Sequence, residues 1–271
     1  MRILFWNMGR KDSASHIAAI LAETPCDIVL LCEFSGDSTQ LVARINVESP
    51  GFREDFLPNS SYLRILTTLP ANCVTHIGDL NRSSFWTIQA GPASFTLCGS
   101  HLASGMHTDL RGRNHLLGRL RVDLLRIEAE VGHDRSIVMG DLNLNSYDEM
   151  VMSSEGLHAV SSFKEAKRGP KIVHGDKCPF FYNPMWSHLG DRSTGPAGTY
   201  FWETSSPVGY GWNMLDQVLL RPSLMQSFVD FEVDILTMAG KNSLLTKNGR
   251  PKKSVSDHLP LRVHLLTGQT P

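Results

Sequence analysis

The sequence predicts an α/β protein in which two β-sheets stack on one another and helices cover them from outside. Two observations carry this expectation. Short apolar runs rich in β-branched residues recur along the chain, and helical periodicity interrupts them in few places, too few for a strictly alternating parallel sheet. No low-complexity linker and no repeat period divides the chain, so residues 1–271 are expected to form one domain around a shared core.

Taken in order, the first strand is Ile3 to Trp6. Asp12 to Glu23 follows, with polar residues at its start, apolar ones at helical spacing and Pro25 closing it. Strands are then expected at Ile28 to Cys32, Leu63 to Leu66, Phe85 to Ile88 and Phe95 to Cys98. A longer helix runs from Leu110 to Val131, where Leu116, Leu117, Leu120, Leu124, Leu125 and Ile127 form an apolar stripe among arginines whose charged face is solvated. Ile137 to Met139, Leu215 to Leu220 and Leu259 to Leu265 complete the strands. From Ser161 to Asn213 the clusters of Gly, Pro, Ser and aromatics show little periodicity and read as long loops with one or two short strands.

Composition narrows the function. Apolar residues at 41% and charged residues at 20% fit a packed globular core and exclude wholesale disorder. A formal net charge of −1 gives no global attraction to nucleic acid or to an anionic membrane, so a polyanion must meet a local patch. The N-terminus turns polar too soon for a signal peptide, and no apolar run approaches the ~20 residues of a spanning helix. No membrane segment is therefore expected, and the expected compartment is cytoplasmic. The cysteines (Cys26, Cys32, Cys73, Cys98, Cys178) are odd in number and widely spaced, which fits buried thiols rather than disulfides; without a Cys-x-x-Cys or His-x-x-x-His pair, zinc is not expected.

The residues suited to chemistry stand where apolar strands end. Glu33 closes the second strand and Asn7 the first; a carboxylate and an amide oxygen are the hard donors Mg²⁺ prefers, although a rim carboxylate also commonly caps a turn. In Gly140-Asp141-Leu142-Asn143 two polar side chains two residues apart point the same way. Asp141 can deprotonate a water and Asn143 can donate to a phosphate oxygen, while Asp and Asn after Gly are also ordinary turn residues. His258, in Ser256-Asp257-His258, can stabilise a phosphoryl transition state if a carboxylate keeps it charged. Asp216 is the candidate, because an acid inside an apolar strand is costly without a partner. His101 can donate to a phosphate oxygen or assist the leaving group, or serve as a structural histidine. His107, His115, His133 and His174 lack such placement. Each residue alone has a structural explanation; their recurrence at strand ends is what phosphoester hydrolysis with a metal, a water activator and anion stabilisers requires.

At these residues the chain resembles the endonuclease/exonuclease/phosphatase superfamily of DNase I-like nucleases, abasic-site endonucleases, tyrosyl-DNA phosphodiesterases, inositol polyphosphate 5-phosphatases and neutral sphingomyelinases. Trp6-Asn7, Cys32-Glu33, Ser100-His101-Leu102, Gly140-Asp141-Leu142-Asn143, Leu215-Asp216-Gln217-Val218-Leu219 and Ser256-Asp257-His258 match its motifs in order. The resemblance implies a four-layer sandwich of two mixed β-sheets flanked by helices, with the site at one edge. It further implies that Asn7 and Glu33 hold Mg²⁺, with Mn²⁺ as a substitute. Asp141 would activate water, Asn143 and His101 would contact phosphate, His258 would pair with Asp216, and Asp257 would be a second metal-side or water-orienting carboxylate. Two positions depart from the pattern: Cys32 stands where the family often has Gln, and Gly9 where some abasic-site nucleases carry another acid.

Loops must select the substrate. Lys241, Lys247, Arg250, Lys252 and Lys253 precede Ser256 and form a basic loop that reads equally as a local polyanion contact beside the expected phosphate site, with Lys252 and Lys253 as the candidates, or as a solvated, mobile loop. Lys164, Lys167, Arg168, Lys171 and Lys177 form a second cluster, followed by Trp186, Tyr200, Trp202, Tyr210 and Trp212, on which bases can stack, though strand aromatics are more often core. Arg111 and Arg113, ten or so residues past His101, are further candidates to contact a phosphate. The expectation is a metal-dependent phosphodiesterase acting on DNA or RNA, and the sequence points to no obligate protein partner. The alternatives are hydrolysis of inositol phosphates or lipid head groups, and a catalytically inactive binding module.

Overall fold

The computed structural model describes residues 1–55, 63–91, 93–105, 108–190, 192–203 and 211–267. Two mixed sheets face each other. The six-stranded sheet has the order β16 (Asp230–Ile235), β19 (Leu261–Leu266), β1 (Arg2–Lys11), β2 (Ile28–Phe34), β4 (Leu63–Thr67), β3 (Arg53–Glu54). The seven-stranded sheet has the order β5 (Val74–Leu80), β6 (Ser83–Ala90), β7 (Ala93–His101), β8 (Ser136–Asp141), β15 (Asp216–Leu220), β12 (Phe181–Tyr182), β9 (Ala159–Val160). Strands β1 and β2 run parallel, as do β7 and β8, whereas β19, β4 and β15 join antiparallel. Among the described residues three two-stranded ribbons stand outside the sheets: β10 (Lys171–Val173) with β11 (Asp176–Cys178), β13 (Tyr200–Phe201) with β14 (Trp212–Asn213), and β17 (Met238–Ala239) with β18 (Asn242–Ser243).

The strand period of two explains why the central strands read as unbroken apolar runs. Ile3 and Phe5 of β1, Ile28 and Leu30 of β2, Ile137 and Met139 of β8, and Val218 and Leu220 of β15 meet in the core between the sheets. Their neighbours point outward. Leu4, Trp6, Val29 and Leu31 pack under α1 (Ala14–Glu23) and α2 (Ser38–Glu48), while Cys98, Val138 and Leu219 pack under Leu117, Leu120, Leu124 and Ile127 of α3 (Leu110–Val131). The layers are therefore helix, sheet, sheet, helix, the four-layer sandwich expected. Helix α3 is bounded as its sequence implies: Asp109 accepts the Gly112 N–H at 2.8 Å, and Gly132 ends it with φ of 75°.

Among the elements with no clear signature in the sequence are α2, β16 and β5. In α2 only Leu41 and Ile45 are buried, too few for a visible stripe. In β16, an edge strand, Phe231, Val233 and Ile235 alternate with Asp and Glu instead of forming a run. Strand β5 carries Gly78 and a register shift between His76 and Gly78. Residues 161–213 also hold more short elements than expected, β10 to β14 together with one helical turn at Phe163–Ala166 and a 3₁₀ turn at Pro184–His188. The cysteines are free thiols, and burial pushes Cys26 up to about 11. Among the described residues no helix is long and apolar enough to cross a membrane. His107 and Tyr210 lie outside the described residues.

Candidate active site

At one end of the sandwich the inward-facing row of each central strand runs out of apolar residues and continues as polar ones. Ile3 and Phe5 lead to Asn7, Phe95 and Leu97 lead past Gly99 to His101, Ile137 and Met139 lead to Asp141, and Asp216 precedes Val218 and Leu220. Register then aligns three of them. His101 is the parallel partner of Asp141 across β7 and β8, and Asp216 is its antiparallel partner across β8 and β15. Gly140 permits this spacing, because a Cβ there would collide with the Ser100 backbone.

Asp141 sits in the middle of the row and is 2% exposed. One carboxylate oxygen accepts the Asn143 N–H at 2.8 Å, and the other accepts Asn7 Nδ2 at 2.9 Å with His101 Nε2 at 4.0 Å. Burial raises its carboxyl to about 6, with the charge of His258 opposing and that of Asp216 adding to the rise. Asn143 has φ of 51°, and its side-chain amide donates to the Leu102 carbonyl at 2.9 Å. Arg113, on the first turn of α3, donates to the Asn143 carbonyl at 3.0 Å and so ties the helix to this turn.

His258 is held on several sides. Its Nδ1 lies 2.7 Å from Oδ2 of the fully buried Asp216. Its N–H donates to Ser256 Oγ at 3.0 Å, the Ser256 hydroxyl donates to the Asn7 carbonyl at 2.7 Å, and its own carbonyl accepts Trp6 Nε1 at 3.0 Å. The first strand thus fixes the loop that carries His258. The Tyr200 ring packs 4.7 Å from the imidazole. Burial pulls the His258 pKa down, yet the charge and hydrogen bond of Asp216, with Asp141 and Asp257 beyond, push it up to about 10.

Glu33 has φ of 51°, which turns its side chain out of the β2 ladder. One carboxylate oxygen lies 3.3 Å from His101 Nε2 and the other 3.6 Å from Arg10 Nε. The hydrogen bond to His101 keeps this carboxyl below its usual range despite partial burial. Gly9, with φ of 54°, leaves room for the Asp257 carboxylate, into which a Cβ would run. The departure noted at Gly9 therefore brings another carboxylate to the same place.

Asn7, Glu33, His101, Asp141, Asn143, Asp257 and His258 line one cleft of about 950 Å³, joined by Arg113 and Trp202, while Asp216 lies buried beneath His258. The other expected substrate contacts sit elsewhere. Arg111 is exposed and does not line the cleft, the Lys252 ammonium donates to the Ser243 carbonyl at 2.8 Å, and Lys253 borders a neighbouring cavity. Lys171 and Lys177 lie on the ribbon leading into β12, which pairs with Leu220, the end of β15 remote from Asp216; none of their cluster reaches the cleft. Trp212 packs against the outer core of the first sheet, and Trp186 lies in the 3₁₀ turn. Sequence reasoning missed Arg10, Arg82, Asn145, Asp148 and Asn213, which also line the cleft. Asn145 and Asp148 follow directly on the Gly140-Asp141-Leu142-Asn143 segment, a proximity that offered the available signal.

Two groupings have the composition of a cation site. Ligand atoms of Asp141, Asp216 and His258 lie within 4.8 Å of one another. A cation there would displace the 2.7 Å hydrogen bond between Asp216 and His258, so this trio is a charge couple. Glu33, Asp257 and the Asn7 amide oxygen offer oxygen donors only, which fits Mg²⁺ or Mn²⁺. The Asn7 oxygen accepts the Gly9 N–H at 3.0 Å and keeps a second lone pair.

The chain belongs to the endonuclease/exonuclease/phosphatase family, whose model matches residues 4–258. No curated protein sequence matches it. Among solved structures it is similar to truncated TDP2 of Caenorhabditis elegans, with a TM-score of 0.59 at 13% identity over 98% of this chain and 97% of that one. D. rerio TDP2 complexed with single strand DNA product gives 0.58 at 17% identity over 97% and 98%. The endonuclease domain of TRAS1, a telomere-specific non-LTR retrotransposon, gives 0.52 at 15% identity over 99% of both chains. The fold is thus of the nuclease and phosphodiesterase type.

Proposed function

We propose that this chain is a Mg²⁺-dependent phosphodiesterase that hydrolyses nucleic acid, acting as one catalytic domain to which both sheets contribute. The observation that carries the proposal is the buried row His101, Asp141, Asp216 crowned by His258 at the floor of an open cleft. Glu33, with Asn7 and Asp257, would hold the cation, which when bound neutralises charge on a phosphate oxygen; Mn²⁺ suits the same donors. Asp141, oriented by Asn7 and the Asn143 N–H, takes a proton from the attacking water. His258, kept positive by Asp216, donates to the phosphate oxygens as negative charge builds in the transition state. Asn143 spends one amide hydrogen on Leu102 and presents the other to phosphate, and His101, through its Nε2, orients the Glu33 carboxylate.

Nucleic acid is favoured over inositol phosphates and lipid head groups by the cleft wall. Tyr200 and Trp202 lie nearly parallel, 14° between planes and 6.4 Å between centroids, and Trp202 is 48% exposed. Such rings stack on bases, and Arg10, Arg82 and Arg113 line the same cleft. A single strand DNA product bound to a zebrafish structure of the same fold supports this choice. The test incubates the protein with Mg²⁺ and plasmid DNA, single-stranded DNA, RNA, 5′-adducted DNA, inositol phosphates and sphingomyelin, beside Asp141→Asn. Cleavage of a nucleic acid by the wild type alone is expected. Turnover of only the inositol or lipid substrates would refute the nucleic-acid preference, and turnover of nothing would favour a binding module.

A further inference from the structure

Beside the catalytic cleft lies a second cavity of about 340 Å³, bordered by Phe201, Glu203, Thr246, Arg250, Lys253 and Asp257. Asp257 borders both spaces. The ribbon of β13 and β14 is the partition. Side chains alternate along an extended strand, so Tyr200 and Trp202 face the cleft while Phe201 and Glu203 face the second cavity.

The opposite wall is a loop tied into shape by its own hydrogen bonds. The Thr246 N–H donates to the Arg250 carbonyl at 2.7 Å, the Gly249 N–H to the Thr246 carbonyl at 3.0 Å, and the Arg250 N–H to Thr246 Oγ1 at 3.3 Å. Lys252 pins its far side through the Leu244 and Ser243 carbonyls, both at 2.8 Å. A wall ordered in advance spares a ligand the entropy of ordering it.

From this loop the Arg250 guanidinium lies 4.3 Å from the Phe201 ring centroid, with Nη1 3.1 Å from Glu203 Oε2. Glu203 is 77% exposed and Arg250 43%, so the ion pair itself contributes little to stability. Its effect is orientation: the guanidinium rests over the Phe201 ring, and the Arg250 side chain, partly exposed, borders the cavity. A planar cation held in this way is a surface for an aromatic ring. Lys253 is exposed at the rim, where a phosphate next to a stacked base would pass.

We propose that this cavity is a nucleotide subsite: a nucleotide flanking the scissile phosphodiester stacks its base on the exposed guanidinium of Arg250 and sets its phosphate against Lys253. The proposal rests on the nucleic-acid assignment above and deepens it. A substrate strand would then be gripped on both faces of the β13–β14 ribbon, with Asp257 at the crossing.

The test compares kcat and KM for a single-stranded oligonucleotide and for thymidine 5′-(p-nitrophenyl phosphate), too short to fill both spaces, in the wild type, Arg250→Ala, Arg250→Lys and Lys253→Ala. Thermal unfolding of each variant controls for folding. Arg250→Ala is expected to raise the oligonucleotide KM about tenfold or more, with a loss on the small ester at least about tenfold smaller. Arg250→Lys should recover only part, because it restores charge without the plane. Equal losses on both substrates, or an unchanged oligonucleotide KM, would overturn the subsite while leaving the nuclease assignment standing. A wild type that cleaves the ester but no oligonucleotide overturns the nucleic-acid assignment and the subsite with it.

Discussion

His258 Nδ1 and Asp216 Oδ2 are 2.7 Å apart, and Asp216 has no exposed surface. The imidazole is therefore held as a cation, with its pKa raised to about 10 against an ordinary value of 6.5. A group whose folded pKa is raised contributes stability that is whole below 6.5 and disappears as pH climbs through 10. Asp216→Asn removes the strongest support of that charge. The variant should lose activity at neutral pH by roughly 10²- to 10³-fold. The alkaline fall of its residual activity should move to lower pH, and its stability should decline less between pH 6.5 and 10 than that of the wild type. Rate profiles and urea unfolding across this range check both; an unmoved alkaline limb would refute the coupling.

Asp141 shows the opposite balance. Its carboxyl titrates near 6 in the folded protein against 3.8 for an ordinary aspartate, so the native state holds the proton more tightly than the unfolded chain does. Stability then falls as pH rises from 3.8 to 6, and the cost is complete above that. Asp141→Asn gives up one acceptor, worth about 1 kcal/mol, and escapes the larger cost of a buried charge. Without added metal the variant should melt higher than the wild type at pH 7.5, with the gap narrowing at pH 4.5, while hydrolysis is abolished. A variant less stable than the wild type at pH 7.5 would contradict this.

Glu33 stands in a different setting, half-buried and hydrogen-bonded to His101, with its carboxyl kept ionised. Glu33→Gln preserves shape and removes the charge. The Mg²⁺ concentration for half-maximal activity should rise roughly 10- to 100-fold or more. A chelator should silence the wild type, with Mg²⁺ restoring it. Calorimetry gives a second measure, since an ion that binds only the native state raises the melting temperature. If Mg²⁺ raises it equally in Glu33→Gln, Glu33 is not a ligand.

The parts of the site legible in the sequence are those that strand parity delivers. Asn7, His101, Asp141 and Asp216 each continue an inward apolar row, and Asp216 advertised a partner because an unpaired acid inside an apolar strand is costly. Arg10, Arg82 and Asn213 were illegible because the ends of separate elements bring them to the cleft. The bond from Asn145 to Asn213 at 3.1 Å, for example, joins the loop after β8 to strand β14, far apart in the chain. Lys252 was misplaced for another reason: a long flexible stem lets an ammonium reach a carbonyl behind its own loop. In the fold, α2 is faint in the sequence because it buries only two residues, and β16 because its apolar residues alternate with acids and form no continuous run.

Gly140 offers a test independent of chemistry. Its φ is unremarkable for an extended strand, so the need for glycine there comes from the neighbour. Ser100 lies opposite Gly140 in the parallel register of β7 and β8, and a Cβ at Gly140 would meet the Ser100 carbonyl, carbon and nitrogen, backbone atoms that no rotamer change can move. To admit a methyl group the strands would have to separate, breaking the register that sets His101 beside Asp141 and pulling Met139 and Val138 from cores on either side of the sheet. Overpacking of this kind costs typically 1–3 kcal/mol and more where backbone must yield. Gly140→Ala should therefore lower the urea midpoint by the equivalent of about 3 kcal/mol or leave the protein insoluble. Gly132→Ala, at a position with open space but φ of 75°, should cost only about 1 kcal/mol. Equal unfolding midpoints for the two variants would show that strand spacing at Gly140 is not the constraint.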